Sequence, residues 1–189
     1  LNGVSVLPTE FDSIKEAKEW VESHKNQPEL VYGNTQFAYN YIADTYKGDV
    51  KWDLDHLLMV TLDAEVQCQN GFPDPTAADE EMLSISIKNH QNKKIVVWGV
   101  GKFKTDRDDV TYIECESEIH LLKEFLAFWS LHQPDIITGW NTEFFDIPYI
   151  CNRIIKLFGE DELKRLSPWG SVQAREVFKM GRNHQTYNI

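Results

Sequence analysis

The chain has 189 residues, 42% of them hydrophobic and 12% aromatic, and a formal net charge of −11. That length holds one globular domain with room for part of a second. The acidity excludes a protein that coats nucleic acid by phosphate neutralisation, which needs a basic surface, and no apolar run approaches the ~20 residues that span a bilayer.

Residues 1–10 show no basic segment followed by an apolar core, so no signal peptide is read there. The chain opens on Leu1 rather than Met, as a fragment or a processed chain would. Residues 1–55 read as part of an N-terminal α+β domain, because one helix and two short strands bury too little surface to stand alone. Ser13-Ile14-Lys15-Glu16 has capping-box form and starts a helix. Ile14, Ala17 and Val21, with Trp20 alongside, give it an apolar stripe to about His24, and Gln27-Pro28 ends it. The aromatic stretch 31–46, with Tyr32, Phe37, Tyr39, Tyr41 and Tyr46, predicts one or two short strands. Tyr46-Lys47-Gly48-Asp49 is a turn.

Residues 57–66 are an apolar run, rich in Leu, Val and Met, that ends in two acids. The run predicts a buried strand. Residues i and i+2 of a strand share a face, so Asp63 and Glu65 stand side by side near its C-terminal end. Two adjacent carboxylates repel and resist burial, and binding a divalent cation is a good reason to keep them. From these residues alone the plainer reading is favoured, with Glu65 past the strand end and Asp63 capping a turn.

Asn70-Gly71-Phe72-Pro73-Asp74-Pro75 is a turn-rich loop. Strands are expected over 82–87 and 94–100, joined by a hairpin at 89–92, and over 110–115 after a charged loop. Ser117 caps a helix running to about Leu131, with Ile119, Leu122, Phe125 or Leu126, and Trp129 as its apolar stripe. Residues 134–139 predict a short buried strand ending at a glycine turn. A loop from Trp140 leads through Asp146 into a helix with Pro148 in its first turn. Its stripe is Ile147, Ile150, Ile154 and Phe158, and Gly159 closes it. A short helix follows over 160–165, and residues 169–189 read as an extended or hairpin-like piece.

The order β-β-β-β-α-β-α indicates an α/β domain, a mixed sheet with flanking helices, over residues 56–189. No phosphate-binding glycine loop follows the first strand, which disfavours dinucleotide-binding and P-loop folds. Cys68, Cys115 and Cys151 are far apart and odd in number, so they make neither a zinc spacing nor a disulfide framework; a reducing, cytoplasmic location is expected. Basic residues gather late, at Lys156, Lys164, Arg165, Arg175, Lys179 and Arg182, and read as ordinary solvated surface. An acidic chain can still process nucleic acid when its carboxylates hold metal ions that meet the phosphate.

Asp146 adds weight to that chemistry. It follows a strand and precedes a helix, so it sits at the sheet edge where Asp63 and Glu65 end their strand. Alone it reads as a helix N-cap. Asp63-Ala64-Glu65 resembles the first exonuclease motif of family B DNA polymerases, usually Asp-Ile-Glu. Thr138-Gly139-Trp140-Asn141-Thr142-Glu143-Phe144-Phe145-Asp146-Ile147-Pro148-Tyr149 resembles their second motif, Asn-x(2–3)-Phe-Asp. Asn70-Gly71-Phe72-Pro73, Arg153-Ile154 and Lys164-Arg165-Leu166-Ser167-Pro168 are similar to replicative polymerases of T-even-type phages, and the likeness covers roughly residues 13–170.

The resemblance implies a ribonuclease-H-like 3′→5′ proofreading exonuclease acting on a single-stranded DNA 3′ end in the host cytoplasm. It implies Mg²⁺ or Mn²⁺ held by Asp63, Glu65 and Asp146, with Asn141, Phe145 and Phe72 contacting the DNA strand. Ala64 stands where Ile is usual. The third motif, Tyr-x-x-x-Asp, is absent, since Tyr187 has no room for the Asp, and no palm or fingers region is present to polymerise DNA. The expected activity is therefore incomplete in this chain alone, to be completed by a remaining polymerase portion as a separate chain. The alternatives are a catalytically inactive DNA-binding or polymerase-docking module and an exonuclease with a substitute ligand such as His184.

Overall fold

The computed structural model describes residues 5–27, 29–32, 37–49, 51, 53–69, 71–179 and 181–189, with no side-chain description at Phe37 and Ala38. The chain forms two compact units, Leu1–Trp52 and Asp53–Ile189.

In the first unit, helix α1 spans Ile14–Ser23. The Ser13 hydroxyl accepts the Glu16 amide at 3.2 Å, and the Glu16 carboxylate reaches back to the Asp12 amide at 3.2 Å. The reciprocal box expected from Ser13 and Glu16 therefore forms, with its return bond one residue upstream. The stripe is narrower than the sequence suggests: Ala17 is buried, whereas Ile14 is exposed. The helix stops at Ser23 with His24 as its C-cap; the expected stop at Pro28 lies outside the described residues.

Among the described residues of 31–46 the expected strands do not form. Phe37–Thr45 is instead a second helix, α2, and the Tyr46 amide donates to the Ile42 carbonyl at 2.9 Å. Aromatic residues favour strands only where a neighbouring strand and a packed face receive them. Tyr39, Tyr41 and Ile42 are exposed, so local helical hydrogen bonding decides the conformation.

The second unit is a mixed α/β assembly. A 3₁₀ turn at Leu54–His56 leads into strand β1, Met59–Val66. β2 (Met82–Asn89), β3 (Ile95–Val100), β4 (Val110–Cys115) and β5 (Ile136–Thr138) complete a sheet of order β4-β3-β2-β1-β5. The three central strands are antiparallel neighbours, while β4 runs parallel to β3 and β5 parallel to β1. Helix α3, Glu118–His132, and helix α4, Asp146–Phe158, flank the sheet. A short helix α5, Glu160–Leu163, follows, and β6 (Gln173–Lys179) with β7 (Arg182–Asn188) forms a separate antiparallel hairpin.

Alternation builds the core. Val60, Leu62 and Ala64 of β1 point into it with Ile85 and Ile87 of β2 and Trp98 of β3. From α3 come Leu121, Leu122, Phe125, Leu126 and Trp129; from α4 come Ile147, Ile150 and Ile154. Trp98 lies edge-on to Phe125 at 5.7 Å and to Phe128 at 4.9 Å. The Trp129 indole N–H donates to the Leu166 carbonyl at 2.9 Å, which satisfies its polar end inside the core.

Two expectations change. Leu121 rather than Ile119 faces inward on α3, and Ile119 is 47% exposed, because the first turn is oriented by Glu118, itself buried against α4. β5 is not buried: Ile136 and Thr138 are exposed, since among the described strands it pairs with β1 alone and forms the sheet edge.

Candidate active site

β1 alternates through its whole length, placing Leu62 and Ala64 in the core and Asp63 and Glu65 on the opposite, exposed face. Both acids lie within the strand, which runs to Val66, so neither caps a turn. Their cross-strand neighbours are Ser86 and Ser84. The small hydroxyl side chains leave the space over the two carboxylates open.

The third acid arrives from the other edge of β1. β5 pairs with Met59, Val60 and Thr61 and then stops at Thr138. Gly139 turns the chain against β1; a Cβ there would lie 2.5 Å from the Leu62 carbonyl and 2.1 Å from the Thr142 hydroxyl. Asn141 follows with φ +59°, a left-handed conformation that Asn tolerates better than most residues. Its carbonyl accepts the Phe144 and Phe145 amides at 3.0 and 2.9 Å, and the Thr142 carbonyl accepts the Ile147 amide at 3.0 Å.

This coil delivers Asp146 as the first residue of α4, and its Oδ1 accepts the Ala64 amide at 2.9 Å. Asp146 thus serves the edge of β1 that β5 leaves, rather than capping its own helix; Phe145 holds the N-cap position without a side-chain bond. Asp146 is 3% exposed, and burial pushes its carboxyl up to about 6. The Ala64 amide opposes that rise, whereas the negative charges of Asp63 and then Glu65 add to it. The Ala64 hydrogen bond sets Asp146 at the end of the sheet where Asp63 and Glu65 stand. Among the described residues, no three His, Cys, Asp or Glu side chains close tightly enough to hold an ion unaided.

A cleft of about 560 Å³ opens against Phe145, the residue before Asp146, and none of the three acids is among its lining residues. One wall is the loop 72–76, the floor carries Asn141, Phe144 and Phe145, and the other wall is formed by Lys179 of β6 and Arg182 to Gln185 of β7. Phe72 is 83% exposed, with its ring 5.1 Å from Phe145, which in turn lies 5.7 Å from Tyr149. Phe144 turns the other way, 4.9 Å from the His184 ring with the Lys179 ammonium 4.5 Å above it. Asn141, Phe145 and Phe72 therefore meet in one cleft. Asn70, the first residue of the expected loop motif, lies outside the described residues.

The late basic residues divide into two kinds. Lys156 pairs with Asp79, Lys164 with Asp161 at 2.7 Å and Arg165 with Glu162 at 3.0 Å, as solvated surface pairs do. Arg175 hydrogen-bonds Asn188. Lys179 and Arg182 instead line the cleft, a placement that only the hairpin reveals.

Sequence reasoning also missed what holds the loop wall. Arg153 makes a bidentate pair with Glu118, at 2.5 and 2.7 Å, and both side chains are buried. Arg153 also donates to the Ala78 carbonyl at 3.0 Å, while Glu118 accepts the Met82 amide at 2.9 Å. The Tyr149 hydroxyl donates to the Glu80 carbonyl at 2.7 Å. One face of α4 thereby pins the segment that connects β1 to β2. The adjacent Arg153-Ile154 is visible in sequence, but its partner 35 residues upstream is not.

Cys68, Cys115 and Cys151 are all free thiols. Among the described residues no helix is long and apolar enough to cross a membrane. A model of the exonuclease domain of DNA polymerase family B matches residues 18–189. The chain is 29% identical over 195 residues to the DNA-directed DNA polymerase of Escherichia phage RB69, covering 90% of this chain and 22% of that one. It is 29% identical over 212 residues to the DNA-directed DNA polymerase of Enterobacteria phage T4, covering 99% of this chain and 24% of that one. With the DNA polymerase catalytic subunit of Elephantid herpesvirus 1 it shares 32% identity over 98 residues, 47% of this chain and 9% of that one. The chain thus spans less than a quarter of the length of the two phage relatives. By that match, carried over residues 18–189, the chain belongs to the exonuclease domain of the family B DNA polymerases.

Proposed function

We propose that the chain carries the 3′→5′ proofreading activity of a phage-type family B polymerase, hydrolysing the 3′-terminal phosphodiester of single-stranded DNA. The observation that carries this reading is the Ala64–Asp146 hydrogen bond, which brings the acid of the second motif to the strand that bears the two acids of the first. An antiparallel β1-β2-β3 meander followed by a helix and a strand parallel to β1 supports a ribonuclease-H-like fold for residues 56–189, with 1–55 as part of an N-terminal domain.

Asp63, Glu65 and Asp146 supply hard carboxylate oxygens, which suit Mg²⁺ or Mn²⁺. An open carboxylate set fits Mg²⁺ well, because that ion commonly completes its shell with water and substrate phosphate. When bound, such ions lower the pKa of a water and stabilise the leaving 3′-oxygen. The chain's own part is to bind and orient. Phe72 and Phe145 offer flat apolar faces to terminal bases. Lys179 and Arg182 attract phosphate into the cleft of an otherwise acidic chain. Asn141, on the cleft floor, donates to the terminal nucleotide.

The test is release of a labelled 3′ nucleotide from single-stranded DNA with Mn²⁺. Digestion that Asp63→Ala abolishes sinks the alternative of an inactive binding or docking module. Digestion only when the remaining polymerase portion is added supports completion of the site by a separate chain. Activity that survives Asp63→Ala and Asp146→Ala together refutes the site assignment.

A further inference from the structure

We infer that Asn152 is a positioning residue that sets the distance between the two walls of the cleft, and through it the grip on a single-stranded 3′ end; this rests on the exonuclease reading above. Asn152 lies on α4, six residues after Asp146, and is half-buried. Its Nδ2 donates to the Pro75 carbonyl at 2.8 Å and to Gln185 Oε1 at 2.9 Å. Its Oδ1 accepts the Tyr187 hydroxyl at 2.6 Å. Pro75 lines one wall and Gln185 the other. A single planar amide therefore touches both walls.

The Pro75 carbonyl can only accept, which fixes the nitrogen of the Asn152 amide toward the loop and leaves the oxygen for the tyrosine. The two walls are not held equally. The residues that directly follow the loop wall, Ala78, Asp79 and Glu80, have further ties to α4 through Arg153, Lys156 and Tyr149. Among the described residues, the hairpin's side-chain hydrogen bonds to α4 all end on Asn152. The hairpin tip rests on Phe144 through His184 and Lys179, a softer ring contact. Loss of the Asn152 amide loosens the hairpin wall, which the burial of Thr186 and the packing of Tyr187 against the core still hold to the domain, while the loop wall stays pinned. The three acids are not among its partners, so the effect falls on binding rather than on the bond-breaking step.

The experiment measures KM and kcat for a 3′-labelled single-stranded oligonucleotide with Mn²⁺, and the Kd of the same oligonucleotide in EDTA, on the full chain carrying these residues. Asn152→Ala is expected to raise KM and Kd roughly three- to tenfold, the range for losing one or two net hydrogen bonds, with kcat within about twofold of wild type. Tyr187→Phe, which removes a single hydroxyl, is expected to give a smaller rise that disappears in the Asn152→Ala background. Asn152→Asp keeps the Tyr187 acceptor and loses both donors, so it is expected to fall near Asn152→Ala. A fall in kcat with KM unchanged, or effects of the two positions that simply multiply, overturns the inference. If the wild type binds the oligonucleotide without cutting it, the catalytic reading fails and Kd still decides the role of Asn152. If the wild type does not bind it, the occupant assigned to the cleft is wrong and the inference falls with it.

Discussion

The Ala64 amide donates to Asp146 Oδ1 at 2.9 Å, linking the strand that bears Asp63 and Glu65 to the first residue of α4. The donor is a backbone N–H, so the bond does not depend on which side chain stands between the two acids. Ala64 contributes its backbone N–H to the site, and its methyl packs in the core at 7% exposure. A bulkier aliphatic residue would alter packing there without altering the donor.

Asp146 makes stability depend on pH in a direction that can be stated. Its carboxyl is raised from 3.8 to about 6, chiefly by burial. The folded chain therefore holds this proton more tightly than the unfolded one. The stability it contributes is fully present below about pH 4 and is lost as pH rises through about 6, up to roughly 3 kcal/mol for a shift of this size. Asp146→Asn keeps an oxygen for the Ala64 amide and cannot ionise. Denaturant unfolding at pH 5 and pH 7.5 without divalent ions is expected to show a smaller difference for the variant than for wild type. Mn²⁺ at pH 7.5 is expected to stabilise wild type more than the variant.

Gly139 is set by space rather than by backbone angle. A Cβ would meet the Leu62 carbonyl, a backbone atom that cannot turn aside, at 2.5 Å. Gly139→Ala is expected to push the 139–145 coil off β1, costing about 1–3 kcal/mol as overpacking does. The proposed exonuclease activity should fall further than stability alone predicts, because the same coil carries Asp146. An alanine variant with wild-type unfolding midpoint and wild-type activity contradicts this account.

Legibility in the sequence followed how local each feature is. β4 and α3 fall at the expected residues because Ser117 caps its helix within three residues, through the His120 amide. The β6–β7 hairpin is readable as extended chain, but its basic tip lining a cleft is not, since that depends on where Phe144 lies. The Tyr-rich stretch misled because aromatic residues signal strands only when a sheet receives them, and here Tyr39 and Tyr41 stay exposed on α2. The acids of the candidate site stood out as residue types. The Ala64 donor did not, because a backbone N–H has no signature in sequence. Asn152 was equally silent, since its three partners, Gln185, Tyr187 and Pro75, lie 33, 35 and 77 positions away.

Glu118 and Arg153 form a buried ion pair, and removing one partner strands the other. Arg153→Met is expected to cost about 3–5 kcal/mol, the penalty of leaving a carboxylate buried and uncompensated. Replacing both, as Arg153→Met with Glu118→Leu, should restore much of that loss. Recovery stays partial because the Met82 amide and the Ala78 carbonyl lose their partners. Unfolding midpoints of the two single variants and the double variant decide the matter, and additive losses would contradict a coupled pair.

Phe72 separates binding from folding. It is 83% exposed, so deleting its ring removes little buried surface, and Phe72→Ala should leave the unfolding midpoint within about 0.5 kcal/mol of wild type. The ring nevertheless stands 5.1 Å from Phe145 at the cleft mouth, where it can extend a stacking surface for bases. KM for a single-stranded 3′ end is expected to rise about five- to tenfold or more, as stacked aromatics contribute about 1–3 kcal/mol per base, with a smaller change in kcat. Phe145→Ala, by contrast, removes a half-buried ring that also contacts Tyr149, and should lower stability as well as raise KM. Equal effects of the two substitutions on KM and on the unfolding midpoint would show that Phe72 serves the fold rather than the substrate.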